Sequence, residues 1–426
     1  MPARREPGFA EAAAFGAGSL ATGVFSTVPS VLLLYFCTQL LGIDPGIAAL
    51  ILLLPKIWSM AWDPLVGHWS DRSGGRFGRR RPFLLAGGAG MCLGFMLLFA
   101  PPEAGPMATA LWVAAAYFAL TTFYSVYAVP YSALPAELAT TVAGTARLVS
   151  LRMAFVMAGV FAGAVLAPLL VAGHGGGREG YAAMGRVLGL ACLLSVLAPL
   201  WTLARSESAP PTVQGGGLRA AMAEVWRDRA FRRLAFAFLF TSSALGALSA
   251  VLPYAVTVAL GRGEADIAVA LGAMVGATLL ALPGWNRAVG RIGLRPALLL
   301  AAGGYAASAI LLAVCLWMQL GWGVSLAAMA LVGAHFAGLQ LLPFTLAADH
   351  IRAASGGAEG RYTGVWISIE KLGLAAGAAL LALALARLGA ARTPLLAGFL
   401  AIVPPLCCLF AVLLVRTPTH RESPAT

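Results

Sequence analysis

The chain has 426 residues, 60% of them apolar and only 11% charged, with a mean hydropathy of +0.85 and a formal net charge of +12. Soluble globular chains carry about 45–50% apolar and about 25% charged residues, so this composition excludes a soluble enzyme, a disordered chain and, despite the charge, a nucleic-acid binder. At about 20 residues per crossing there is room for about twelve membrane spans. Apolar runs at 10–41, 45–69, 82–101, 107–134, 145–173, 181–204, 233–261, 265–287, 294–318, 320–349, 361–388 and 391–415 predict twelve helices, an all-α membrane protein. The runs are long and unbroken, without the alternation of a membrane β-barrel. The first follows a tail, Met1 to Phe9, that carries Arg4 and Arg5. It lacks the short apolar core and cleavage site of a secretory signal, so an uncleaved first helix is expected.

The 29 basic residues are 27 Arg and two Lys, Lys56 and Lys371, both inside apolar runs. Five inter-span segments and the two tails hold 22 Arg, including Arg72, Arg76, Arg79, Arg80 and Arg81; the other side holds Arg178, Arg186, Arg262, Arg387 and Arg392. The positive-inside rule makes the Arg-rich side cytoplasmic, with both termini there, in an inner (plasma) membrane. All six cysteines fall within predicted spans, which suits core packing better than disulfides, and no Cys/His spacing suggests a metal. No nucleophile–base pair or phosphate loop appears either, so no enzyme and no cofactor are expected.

The two halves repeat each other. Arg81-Pro82 after the second span answers Arg295-Pro296 after the eighth, 214 residues on, and Val129-Pro130-Tyr131-Ser132 answers Leu342-Pro343-Phe344-Thr345 at an offset of 213. The expected organisation is a six-helix half over 1–204, a cytoplasmic linker over 205–232 and a second half over 233–426. Parallel repeats of this kind resemble the major facilitator architecture, which implies a substrate site near the midplane and alternating access by rocking of the halves.

The second helix reads Lys56-Ile-Trp-Ser59-Met60-Ala-Trp-Asp63-Pro64-Leu-Val-Gly67, followed by Asp71 and the Arg cluster. A second stretch is Val129-Pro130-Tyr131-Ser132-Ala-Leu-Pro-Ala-Glu137, leading to Arg147 and Arg152, and a third runs from Gly360 through Trp366 to Glu370-Lys371-Leu-Gly373. Together these resemble the glycoside–pentoside–hexuronide:cation symporter family, whose best-known member is the melibiose carrier. The resemblance implies a secondary transporter that couples a small glycoside or sugar-like solute to H⁺ or Na⁺.

The residues support ion coupling without the name. A carboxylate or ammonium at bilayer depth costs at least about 2.5–3.5 kcal/mol, so such groups line cavities or pair. At 1.5 Å per residue, Asp63 lies about 9 Å from the Arg-rich face if the second helix ends near Trp69, and Lys371 about 14 Å if the eleventh begins near Tyr362. Pro64 has no N–H, which leaves the Met60 carbonyl without its helical donor beside Asp63. Asp63, Ser59, the Met60 carbonyl and Lys371 form the candidate coupling set. Where the cation-coupled relatives carry a second Asp, four residues before Asp-Pro, this chain has Ser59. A single carboxylate with a nearby lysine suits a proton at least as well as Na⁺. The bland alternative is a charge pair that only holds the halves together. Glu370, about 100° from Lys371 around the helix, is read as a second cavity or interhelix group.

In the sugar-carrying relatives, carboxylates stand at positions that match about Gly23 and Ala128, so neither is present here. The candidate substrate cavity is therefore built from Lys56, Thr22, Ser26, Tyr124, Tyr127, Tyr131, Ser132, Thr241, His335, Gln340, Trp366 and Glu370. The Tyr117, Tyr124, Tyr127 and Tyr131 stripe suits either a sugar ring or ordinary interhelix packing, and His335 either a core hydrogen bond or a proton relay. Gly67, Asp71, Arg72, Arg147 and Arg152 resemble a facilitator-type cytoplasmic latch, although basic loops also arise from topology alone. Gly159-x-x-x-Gly163 and Gly373-x-x-x-Gly377 suit close helix contacts. Three readings stay open: a glycoside symporter, a cation-coupled carrier of a lysolipid or other amphiphile, and a non-transporting assembly or sensory protein. The partners expected are a small-molecule substrate and membrane lipid, and the chain is expected to be a monomer.

Overall fold

A computed structural model describes residues 8–73, 80–138, 142–204, 226–354, 359–388 and 392–416. Among the described residues, twelve helices are long and apolar enough to cross a membrane: α1 (Phe9–Leu33), α2 (Pro45–Gly67), α3 (Arg81–Phe99), α4 (Pro106–Ser132), α5 (Leu151–Gly173), α6 (Gly177–Trp201), α7 (Arg229–Ala259), α8 (Glu264–Ile292), α9 (Leu294–Trp317), α10 (Trp322–Ala347), α11 (Val365–Leu388) and α12 (Thr393–Val415). Several continue past these limits; the helix containing α2 runs Pro45–Arg72, and those containing α10 and α11 run Trp322–Ala354 and Glu359–Leu388. Large apolar side chains on the outer faces, such as Leu280 at 85% exposure and Leu111 at 64%, are what a hydrocarbon solvent requires.

The chain divides into two compact units, Met1–Gly215 and Gly216–Thr426. In the first, α1 packs on α5 and α6, α2 on α4, and α3 on α4 and α6. In the second, α7 packs on α11 and α12, α8 on α10, and α9 on α10 and α12, so each packing pair recurs six helices later. The repeat extends to the backbone at helix ends. The amides of Leu41 and Ile43 bond the carbonyls of Phe36 and Cys37, and those of Leu260 and Arg262 bond Ala255 and Val256, both after a π-helical turn. The chain then reverses through Gly42 and Gly261 at φ +64° and +62°, a left-handed conformation that a Cβ would penalise.

The seventh helix starts at Arg229, four residues before the expected 233, because Asp228 caps it by accepting from the amides of Ala230 and Phe231 at 2.9 and 3.0 Å. Residues 205–225 of the expected linker and the N-terminal tail before Gly8 lie outside the described residues.

Glycines set the closest approaches. A Cβ on Gly23 of α1 would lie 2.3 Å from the Val156 carbonyl oxygen of α5, and one on Gly159 of α5 would lie 2.3 Å from that of Leu20. The second unit repeats the device: a Cβ on Gly246 of α7 would meet the Leu374 oxygen at 2.1 Å, and one on Gly377 of α11 the Ser243 oxygen at 2.0 Å. Both small-residue motifs thus bring backbones together, as their spacing predicts.

Candidate functional site

In the first unit one face of α2 carries Lys56, Met60, Asp63 and Gly67, all partly buried. Pro64 lies inside the helix without breaking it. Ser59 is buried and donates its hydroxyl proton to the Lys56 carbonyl at 2.8 Å, so its oxygen keeps acceptor capacity one turn from Asp63. One Asp63 oxygen, Oδ1, is shielded from solvent. The Lys56 ammonium sits over two aromatic faces, 4.8 Å from the Phe25 ring and 5.6 Å from Tyr117. Phe25 in turn stacks on Tyr124 at 3.8 Å, so α1 and α4 together set aromatic faces against the Lys56 side chain of α2.

The tyrosine stripe of α4 divides. Tyr124 belongs to that aromatic wall. Tyr127 and Tyr131 are fully buried; the Tyr127 hydroxyl donates to the Gly18 carbonyl at 2.9 Å, and the Tyr131 hydroxyl donates to Phe15 and meets the Ser19 hydroxyl at 2.9 Å. Their rings stack on each other at 5.0 Å, and the Arg152 guanidinium lies 5.3 Å from the Tyr131 ring. These two tyrosines are ties between α4 and α1 rather than open walls. Arg152, grouped in sequence with the latch, belongs to this cluster. Thr22 and Ser26 donate to Ser19 and Gly23 carbonyls of their own helix, with Ser26 exposed and Thr22 buried, and the exposed Ser132 donates to Val129.

Of the latch candidates, Gly67 faces Val129 of α4 and Arg147 is exposed. The side chains of Asp71 and Arg72 lie outside the described set. Sequence reasoning missed Arg80, which is buried and donates from Nη1 to the Ser70 hydroxyl at 2.9 Å, tying the end of the Arg-rich loop to the second helix. Nothing in its letters separates Arg80 from Arg79 or Arg81.

In the second unit the Gln340 amide of α10 donates to Glu370 of α11, Nε2 to Oε1 at 2.9 Å, which brings two of the cavity candidates together. One turn toward the Arg-rich end, Trp366 stacks on Phe238 at 4.2 Å and 5°, and Phe344 meets both rings edge-on. Trp366 is buried, and its Nε1–H has no hydrogen-bond partner among the described residues. An apolar cavity beside it is lined by Phe238, Thr241, Leu298, Pro343, Trp366 and Val412. Thr241 donates to the Phe238 carbonyl and is buried. Lys371 is partly buried.

His335 sits elsewhere. Its Nδ1 is 3.0 Å from the Leu331 carbonyl and 3.2 Å from the Ser308 hydroxyl, and its ring fills the space where a Gly304 Cβ would be, against α9. That is a hydrogen-bonded interhelix histidine. A second missed pair lies beyond the spans: His350 Nε2 and Asp228 Oδ2 are 2.8 Å apart, linking the end of the tenth helix to the cap of the seventh. Burial works to raise the Asp228 carboxyl, but the Phe231 amide, the His350 ring and the Ala230 amide outweigh it and hold the group below its ordinary value. Among the described residues no cluster of three or more His, Cys, Asp or Glu could hold a metal ion.

Residues 14–418 match the family model described as MFS/sugar transport protein. The chain is 25% identical over 256 residues to the inner membrane symporter YicJ of Escherichia coli K12, covering 60% of this chain and 55% of that one. It is 31% identical over 178 residues to the putative glycoside/cation symporter YagG of the same organism, covering 41% and 39%. The chain thus spans about half or less of the length of these curated relatives. Among solved structures, a D-xylose–proton symporter superposes with a TM-score of 0.70 at 15% identity, covering 95% of this chain and 97% of that one, which shows a shared fold.

Proposed function

The chain belongs to the MFS/sugar transport protein family, and from that premise we propose that it is a secondary active symporter that moves a small glycoside or sugar-like solute with a coupling cation. The finer kinship with the melibiose-carrier family, suggested by the Lys56 to Gly67 and Glu370-Lys371 stretches, is part of this proposal. The observation that carries it is the face of α2, where an intramembrane carboxyl, Asp63, stands beside a proline-freed carbonyl on the same helix face as a lysine held against Phe25 and Tyr117. Asp63, the Met60 carbonyl, Ser59 and Lys371 serve as the coupling set, and we favour H⁺, since one carboxyl with ionisable lysines suits a proton better than a cation that wants several hard oxygens. Lys56, Tyr124, Ser26, Gln340 and Glu370 are the substrate-side groups, and Gly67, Asp71, Arg72 and Arg147 the latch. The Arg-rich ends face the cytoplasm by the positive-inside rule.

A second reading, a carrier of lysolipids or similar amphiphiles, draws on one observation. The resemblance puts the relatives' sugar-gripping carboxylate of the first helix at about Gly23, and Gly23 is pressed on α5 with no room for a side chain. The relatives' names, a glycoside/cation symporter among them, favour the glycoside. Uptake into proteoliposomes under an imposed pH gradient, with radiolabelled disaccharides, aryl glycosides and lysophosphatidylcholine compared, decides between them. Accumulation of a glycoside supports the first reading, and accumulation of the lysolipid alone replaces it with the second. Equal, gradient-independent fluxes of all three would remove transport from the account.

A further inference from the structure

We propose that Glu370 is a second proton-carrying carboxyl and that Gln340 is the amide that satisfies it in both of its charge states. The inference rests on the proton-coupled reading above and adds a carrier to it, in the unit that does not contain Asp63.

Glu370 lies on the helix Glu359–Leu388, five residues into the span that begins at Val365 and thus about 7.5 Å along its axis. Its observed partner is a neutral amide, Gln340, at 2.9 Å across the α10–α11 contact. A carboxylate accepts only, and here it accepts from Nε2. A protonated carboxyl must also donate, and the same glutamine offers Oε1 as the acceptor once its amide turns by half a revolution about its terminal torsion, which is broad and roughly two-fold. In either state the carboxyl keeps Gln340 as a hydrogen-bond partner, so loading and unloading a proton does not strip the carboxyl of that contact. An Arg or Lys at 340 would fix the carboxylate, and a Leu would favour the acid. Gln serves both.

Few charged residues lie on the neighbouring stretches of the helices packed around the pair, among the described residues. Lys371, the next residue, is the one charged neighbour on the same helix between Val365 and Arg387. On α7, the principal neighbour of α11, no charged side chain stands between Leu234 and Tyr254, and the segment of α7 facing Gly373 is Leu239 to Ser243. The α12 face carries Cys407 and Cys408 and no charge before Arg416. On α10, His335 is the nearest titratable group to Gln340, and its ring is committed to Leu331 and Ser308. One turn toward the Arg-rich end on all three helices, Phe238, Phe344 and Trp366 form an aromatic layer across the unit. Phe344 is four residues from Gln340, and Trp366 four from Glu370, so the layer covers that side of the pair. A proton from bulk water binds the carboxylate to give the neutral acid, Gln340 turns to accept from it, and the reverse sequence returns the proton.

The test is an infrared pH titration of the full chain in lipid nanodiscs, following the C=O absorption of protonated carboxylic acids. In the wild type an absorption that titrates should be present, and Glu370→Gln should remove its share. Glu370→Asp retains an acid but cannot reach Gln340 in the same geometry, so it should shift the band and its midpoint. Gln340→Leu removes a donor that favours the carboxylate more than the acid, and should move the midpoint to higher pH by about one unit. A titrating absorption indifferent to Glu370→Gln, or a midpoint indifferent to Gln340→Leu, overturns the proposal. Because the titration needs no substrate, that failure is distinct from failure of the symport reading, which is judged by gradient-driven uptake and by Asp63.

Discussion

Replacing Gly23 by Ala tests how the two helix bundles are built. The added Cβ would lie 2.3 Å from the Val156 oxygen, 2.7 Å from the Val160 nitrogen and 2.8 Å from the Gly159 carbonyl carbon. Favourable carbon contacts lie at about 3.5–4.0 Å, and all three obstacles are backbone, so α1 and α5 must part by about 1 Å along the crossing. Overpacking of this kind costs about 1–3 kcal/mol, against which Ala returns at most about 1 kcal/mol of helix propensity. Gly303 of α9 provides the control, because its Cβ would meet nothing within 4 Å. There the propensity term stands alone, and Gly303→Ala should be neutral or stabilising by up to about 1 kcal/mol. Gly377→Ala in the second unit, 2.0 Å from the Ser243 oxygen, should behave like Gly23→Ala. Reversible unfolding of the purified full chain in mixed micelles measures all three. If Gly23→Ala and Gly377→Ala were as stable as Gly303→Ala, the backbone-contact account of the α1–α5 and α7–α11 crossings would be refuted.

Asp228→Ala removes an N-cap and the partner of His350, and should lower stability by about 0.5–2 kcal/mol in the same unfolding assay. Since the folded Asp228 carboxyl is held below its ordinary value, its contribution is present at neutral pH and is lost as the pH falls from the ordinary carboxylate range through the folded value; the Asp228→Ala difference should shrink in that acid window. Lys371→Arg keeps the charge but gives a side chain that cannot release its proton, and should cut gradient-driven uptake about tenfold, equivalent to about 1.4 kcal/mol. Normal gradient-driven uptake in that variant would remove Lys371 from the coupling set.

The spans and the repeat were legible because a bilayer imposes length and apolarity on every crossing, and because Arg81-Pro82 and Arg295-Pro296 mark equivalent turns. The glycine motifs at 159–163 and 373–377 were legible for a similar reason: only small residues allow backbones to touch. The meaning of Gly23 was not. In sequence it stands at about the position of a carboxylate that the sugar-carrying relatives have, whereas in the fold it is a contact point. The partners of hydroxyls and charges were hidden as well. Tyr127 and Tyr131 find theirs more than a hundred residues upstream, Lys56 rests on Phe25, a residue with no polar signal, and Asp228 pairs with a histidine 122 positions away. Helical spacing told which residues share a face. It could not tell what that face meets, because burial of an aromatic stripe against a neighbouring helix and its exposure to a cavity produce the same letters.

Asp63→Asn, reconstituted beside the wild type in proteoliposomes with an imposed pH gradient and a transported glycoside, addresses the coupling claim most directly. The substitution keeps the size of the side chain and removes its ability to ionise. The account predicts that gradient-driven accumulation is lost while exchange of the glycoside down its own gradient persists. Undiminished accumulation in Asp63→Asn would contradict it.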